Sequence, residues 1–179
     1  MANIYPLPNQ FVLDTDDHIK LGDSWHSFNH IKRIDEDKLS FVITDEDPFL
    51  IQENIGVNAD DYYYLHVEMS IVAKTIYAQV FFSTVDNPNI SMDKSLFFRI
   101  IPDGLSHSYY INMSHNNKWR GFVKTIRLDP AQYHDVYGWD KNYCDVFTIE
   151  NVEFIKNIPD NIEECMTASD LKHNGFSFR

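Results

Sequence analysis

Two histidines four residues apart, His26 and His30, would share one face of a helix and could bind zinc there. The segment around them, 25–34, alternates apolar and polar residues as a strand does and lacks a His-Glu-x-x-His pattern, so the pair reads as surface or structural. Three acidic groups, Asp14-Thr15-Asp16-Asp17, Asp45-Glu46-Asp47 and Asp60-Asp61, fall in loops. Carboxylates and carbonyls there could hold a structural calcium ion, with no activated water required, or could simply form solvated turns, and the three loops compete for such an ion. Asp14-Thr15-Asp16 also spells the Asp-x-Asp of nucleotide-sugar transferases, but no α/β pattern surrounds it. The 6 glycines are scattered, with no Gly-x-Ser-x-Gly and no glycine-rich turn after a strand. Serine hydrolases of the elbow type, P-loop enzymes and dinucleotide folds are therefore excluded. Cys144 and Cys165 have no metal-ligand spacing and are too few to staple the fold. Asn89-Ile90-Ser91 and Asn112-Met113-Ser114 match the N-glycosylation sequon, which has meaning only for a secreted eukaryotic protein.

The chemistry-bearing pattern is a different one. In a strand, residues two apart share a face. Tyr63, Leu65, Val67 and Met69 then claim the core and leave Tyr64, His66 and Glu68 opposite; Ile76, Ala78, Val80 and Phe82 leave Tyr77, Gln79 and Phe81; Leu96, Phe98 and Ile100 leave Phe97, Arg99 and Ile101. A sheet face turned only to water would carry Lys, Glu and Thr, whereas this one mixes rings with hydrogen-bonding groups. Tyr64, His66, Tyr77, Gln79, Phe97 and Arg99, with Tyr137 and Trp139 from a nearby loop, form the expected ligand site. Tyr77 or Phe97 would stack on an apolar ligand face, Gln79 and His66 would bond hydroxyls, and Arg99 would pair with a carboxylate on an acidic ligand. The competing reading has both faces of the sheet covered, one by a second sheet and one by the amino-terminal segment or residues 131–146. Arg127 and Asp129, two apart on a strand, are expected to be structural together with Trp119.

The elements that must position these groups are strands. Short alternating runs rich in β-branched and aromatic residues recur near 25–34, 38–44, 61–70, 75–83, 94–101, 107–112, 122–128 and 147–155, with weaker ones near 10–14 and 48–53. Pro102-Asp103-Gly104 and Asn87-Pro88-Asn89 punctuate them as turns. With no helical period between the strands, the pattern predicts an all-β antiparallel sandwich or barrel. One helix is expected late, over 160–173, with Asp160 as its cap. The division is a β-sandwich domain over 1–156 and a carboxy-terminal tail or connector over 157–179. A length of 179 residues suits one domain, and 44 % hydrophobic residues suffice for a core. With 15 basic against 27 acidic residues, the formal charge of −12 repels nucleic-acid phosphates. The longest apolar stretch, 75–85, is too short to span a bilayer. Residues 1–6 carry no basic-then-apolar signal, so the expected location is cytoplasmic, or extracellular after removal of a leader.

From Asp61 onward the segments come in a distinctive order: Tyr62-Tyr63-Tyr64-Leu65, Ala78-Gln79-Val80-Phe81-Phe82-Ser83-Thr84, Phe97-Phe98-Arg99-Ile100-Ile101-Pro102-Asp103-Gly104, His107-Ser108-Tyr109-Tyr110-Ile111-Asn112-Met113, Trp119-Arg120-Gly121 and Ile126-Arg127-Leu128-Asp129-Pro130. This order resembles the galactose-binding-like jelly-roll modules of bacterial carbohydrate-active proteins, over about residues 25–156. A longer, more aromatic stretch at 133–143 departs from that pattern. The resemblance implies a non-catalytic carbohydrate-binding module, an accessory domain of a glycosyltransferase or other polysaccharide-assembly enzyme, with a glycan as ligand and an enzyme domain following. Two other functions stand beside it: a structural or protein-interaction sandwich without a glycan, and a small polysaccharide lyase or hydrolase.

Overall fold

In the computed structural model, residues 17–159 are described, except 23, 134–139, 141 and 143. The strands are β1 (His18–Lys20), β2 (His26–Asn29), β3 (Ile31–Asp35), β4 (Leu39–Ile43), β5 (Phe49–Glu53), β6 (Tyr64–Val72), β7 (Tyr77–Thr84), β8 (Ser95–Arg99), β9 (Asp103–Asn112), β10 (Val123–Asp129) and β11 (Val146–Ile155). They form a six-stranded sheet in the order β3-β4-β11-β6-β9, with β1 also on β11, and a five-stranded sheet in the order β2-β5-β10-β7-β8. Every strand pairing is antiparallel, and after β2 the chain repeatedly crosses from one sheet to the other, which makes an antiparallel sandwich of jelly-roll type. Among the described residues, no helix is long and apolar enough to cross a membrane.

The core lies between the sheets and is filled by the side chains that alternation assigns to it. Leu65, Val67 and Met69 of β6, Ala78, Val80 and Phe82 of β7, and Leu96 and Phe98 of β8 are all at 5 % exposure or less. In β11, Ile149 and Val152 both face inward although they are three residues apart, a spacing that would put them on opposite faces of a regular strand. The register shift between Ile149 and Asn151 supplies the extra residue that brings them back to one face. Trp119 closes one end of the core: its edge meets Phe82 at 5.0 Å, its plane lies over Phe154 at 5.9 Å, and its indole N–H donates to the Tyr62 carbonyl at 2.9 Å. Its expected structural role is what these contacts describe.

Three expectations about strands are corrected. Segment 25–34 is not one strand but β2 and β3, which belong to different sheets. The break falls at His30, whose φ of 48° turns the chain out of the extended region; alternation of side chains carries no trace of such a turn. Asp103 and Gly104 begin β9 instead of sitting wholly in a turn. Gly104 does take the positive φ expected of it, 81°, opposite the bulged end of β6. The short β1 was not expected. The expected strand at 10–14 and helix at 160–173 lie outside the described residues.

Candidate functional site

On the outer face of the five-stranded sheet the register sets side chains in rows. One row runs Ile51, Arg127, Phe81 and Ser95; the next carries Asp129, Gln79 and Phe97; Tyr77 and Arg99 follow at the end of β7 and β8. The rows are held by Arg127. Its guanidinium carbon sits 3.8 Å from the centroid of Phe49 and 4.8 Å from that of Phe81, so the cation is clasped between two rings. Its Nε donates to Asp129 Oδ1 at 2.7 Å, and its Nη2 donates to Asp129 Oδ2 at 2.7 Å and to Asp47 Oδ1 at 2.5 Å. A planar guanidinium matches a carboxylate in this bidentate way, and three of its five N–H donors are used.

Asp129 is at 0 % exposure and also accepts from Gln132 Nε2 at 2.9 Å. Burial pushes its carboxyl up to about 6, and the Arg127 fork keeps it from rising further. Burial alone would lower the Arg127 pKa, but the carboxylates of Asp129 and Asp47 outweigh it and the guanidinium is held above its ordinary value. In the next row Gln79 donates to Ser95 Oγ at 2.7 Å, and Ser95 Oγ in turn donates to the Met92 carbonyl at 2.8 Å. Arg127, Asp129, Gln79 and Ser95 are thus tied to one another and to the chain by hydrogen bonds. Phe49, Ile51, Ser95 and Phe97 are half-buried and Arg99 is exposed, so these offer the surface, while Tyr77, Gln79 and Phe81 lie buried among the rows.

The expected single face is therefore divided. Tyr77, Gln79, Phe97 and Arg99 do share one face, but Tyr64 and His66 of β6 lie on the opposite sheet, because the link 73–76 carries the chain across the sandwich. Consecutive strands usually lie side by side, and that tendency misleads here. His66 is committed within its own sheet. Its ring stacks on Tyr110 at 4.4 Å with 5° between the planes, and its Nδ1 bonds Glu153 Oε1 at 2.7 Å. Tyr137 and Trp139 lie outside the described residues. Phe49, Ile51 and the stacked arrangement of Arg127 were missed as parts of the face. The spacing of Arg127 and Asp129 carried the signal for their pairing, but nothing local to 49–51 pointed to a partner strand at 123–129.

Two of the three acidic loops are visible and bonded to the chain. Asp47 takes Arg127, and its carbonyl accepts from Asn29 Nδ2 at 2.8 Å; Asp61 Oδ2 accepts from Asn58 Nδ2 at 2.9 Å, and Asp60 Oδ2 accepts from Gly121 N at 3.2 Å. Among the described residues, no group of three or more His, Cys, Asp or Glu is arranged to hold a metal ion. A cleft of about 490 Å³ opens on the other sheet, along β11 where β4 ends and β1 has not yet begun. Its lining includes the buried Trp25 and the exposed Lys20, Asp37 and Lys38, together with Thr148, bonded to Ser40 Oγ at 2.7 Å, and Glu150, which accepts from Ser106 Oγ at 2.6 Å.

No protein-family profile matches the chain, and no curated protein matches it. Similar solved structures include a β-1,3-glucan-binding family 6 carbohydrate-binding module from Bacillus halodurans, with TM-score 0.41 and 9 % identity over 78 % of this chain and 95 % of that one. A family 11 carbohydrate-binding module of a cellulosomal cellulase of Clostridium thermocellum gives TM-score 0.46 and 10 % identity over 84 % and 94 % of the two chains. A family 11 module from Clostridium thermocellum in complex with a β-1,3-1,4-mixed-linked tetrasaccharide gives 0.45 and 9 % over 82 % and 93 %. The likeness is one of overall architecture and goes no further.

Proposed function

We propose that this chain is a non-catalytic carbohydrate-binding module that holds a glycan on the outer face of its five-stranded sheet. The observation that carries the reading is Arg127 clasped between Phe49 and Phe81 and locked by Asp129 and Asp47, at the centre of a face whose accessible parts are Phe97, Arg99, Ile51 and Ser95. A sugar ring presents an apolar C–H face and a rim of hydroxyls. Half-buried rings take the first, and guanidinium and hydroxyl groups take the second. The Arg127 and Asp129 bonds hold the base of the face beneath the accessible Phe97, Arg99 and Ile51. Five strands at about 4.8 Å spacing make a surface about 19 Å wide, a width that suits a chain of sugars better than a single small molecule. In this reading the module serves a glycosyltransferase or another enzyme of polysaccharide assembly, bringing it to its glycan.

The test is a glycan array probed with the parent protein, Phe97→Ala and Arg99→Ala. Binding by the parent to a defined glycan, with at least tenfold loss in either variant, supports the reading. Absence of binding across the array, or binding by both variants equal to that of the parent, refutes it. Release of reducing ends from a bound polysaccharide would make the chain a hydrolase or lyase instead.

A further inference from the structure

Lys94 is 2 % exposed, which is unusual for a lysine, and it closes the 3-10 turn Met92–Lys94 in the loop between β7 and β8. Its ammonium points back into that loop. Nζ donates to the Asn87 carbonyl at 3.0 Å, to Asn87 Oδ1 at 2.9 Å and to the Asn89 carbonyl, so all three N–H donors of the ammonium end on oxygen. Loop backbone bonds hold both ends of this contact: Asn87 O accepts from Thr84 N at 3.2 Å, and Lys94 N donates to the Ser91 carbonyl at 2.9 Å. Burial pushes the ammonium's pKa down and the neighbouring Asp93 charge pushes it back up.

We propose that the 85–94 loop is a cation-binding loop whose cation belongs to the chain, the Lys94 ammonium, and that removing this side chain uncovers a site for a free ammonium-type monovalent cation. A buried cation must be surrounded by acceptors to offset its lost hydration, and three convergent oxygens do this here. The two Asn87 oxygens lie at N–H to oxygen distances, longer than the roughly 2.3–2.6 Å of calcium–oxygen contacts. The acceptors are two backbone carbonyls and one side-chain amide oxygen with no carboxylate among them, a set that suits a single positive charge better than a double one. The inference does not rest on the glycan reading. It bears on that face, because Ser95 follows Lys94 directly and receives the Gln79 hydrogen bond, while Asn116 Nδ2 ties the Asp93 and Ser95 carbonyls at 3.1 and 3.2 Å.

The test compares parent, Lys94→Ala and Lys94→Met by thermal unfolding in ammonium, tetramethylammonium and sodium chlorides at matched ionic strength, and again with calcium added. Lys94→Ala should melt lower than the parent and recover by roughly 3 °C or more in ammonium relative to tetramethylammonium. The parent should show no such difference between the salts. Lys94→Met, which fills the space without a charge, should show none either. Equal melting of Lys94→Ala in every salt, or recovery with calcium and not ammonium, overturns the proposal. Should Lys94→Ala fail to fold, nitrogen-15 spectra of the parent decide: the Lys94 ammonium protons should exchange more slowly with water than those of the exposed lysines, and exchange at the same rate overturns it.

Discussion

Replacing Arg127 by methionine tests the platform at its centre. The thioether keeps some contact with Phe49 and Phe81, but Asp129, at 0 % exposure, is left with one neutral donor, Gln132 Nε2. Removing one member of a buried ion pair costs about 3–5 kcal/mol, most of it from the carboxylate left behind. For a chain of this size that lowers the melting temperature by roughly 10–15 °C. The cost should depend on pH in a particular direction. A carboxyl already pushed up to about 6 with the fork in place will rise further without it, so at acid pH it takes a proton and the penalty shrinks. Urea unfolding followed by tryptophan fluorescence is the assay, since Trp25 and Trp119 are both buried. The loss should be several kcal/mol at pH 8 and less than half of that at pH 5, and the double variant Arg127→Met/Asp129→Asn should lose less than the two single losses added together. A loss under about 1 kcal/mol at pH 8, or one equal at both pH values, or additivity in the double variant, would refute the reasoning.

Asp129→Asn isolates the carboxyl itself. Its folded pKa of about 6 lies above the unfolded value near 3.9, so the folded protein holds the proton longer; that contribution is full below about pH 4 and is lost as pH rises through 6, amounting to about 3 kcal/mol. The stability of the parent minus that of Asp129→Asn should therefore fall between pH 4 and pH 7, and a rise over that range would contradict the burial argument. Phe82→Ala, at the fully buried meeting point of β7 and Trp119, should cost about 3–5 kcal/mol in the same assay, and a loss below about 1 would show that the core there is not packed as described. His66→Ala should destabilise by removing the Tyr110 stack and the Glu153 bond while leaving glycan affinity unchanged, since it lies on the other sheet; a tenfold loss of affinity in a folded His66→Ala would move the site there.

What the sequence conveys is local, and the outcome follows that limit. Alternation assigns the inward residues of β6, β7 and β8 correctly, because a period of two is a property of each strand alone, but it fails at Tyr63, expected inward, which precedes β6 and is exposed. It says nothing about which sheet a strand joins. Tyr64 and His66 parted from Tyr77 and Gln79 for that reason, over a link of a few residues that reads equally well as a hairpin or as a crossing. The Arg127–Asp129 pair was legible because both partners lie on one strand; its embrace by Phe49 was not, because β5 meets β10 only after some seventy residues of intervening chain. Gln79 and Tyr77 faced the expected way and are nonetheless buried: Gln79 meets Met92 and Ser95, and Gln132, from the 131–146 stretch named in the competing reading, bonds the Tyr77 carbonyl and the Asp129 carboxylate. Lys94 shows the same limit from the other direction. Its type predicts a solvated side chain, and only the folded loop supplies the three oxygens that let it be buried.

The central claim is that a glycan docks on the outer face of the five-stranded sheet around Arg127. Backbone amide shifts mapped by nitrogen-15 NMR, during titration with an oligosaccharide selected on the array, test it most directly. The account predicts that the perturbed amides cluster in β8 and β10 and at 49–51 in β5, with those of β6 and β11 unmoved. Saturable shifts centred instead on 148–152 and 20–22, at the cleft of the other sheet, or on β6 around His66, would contradict it.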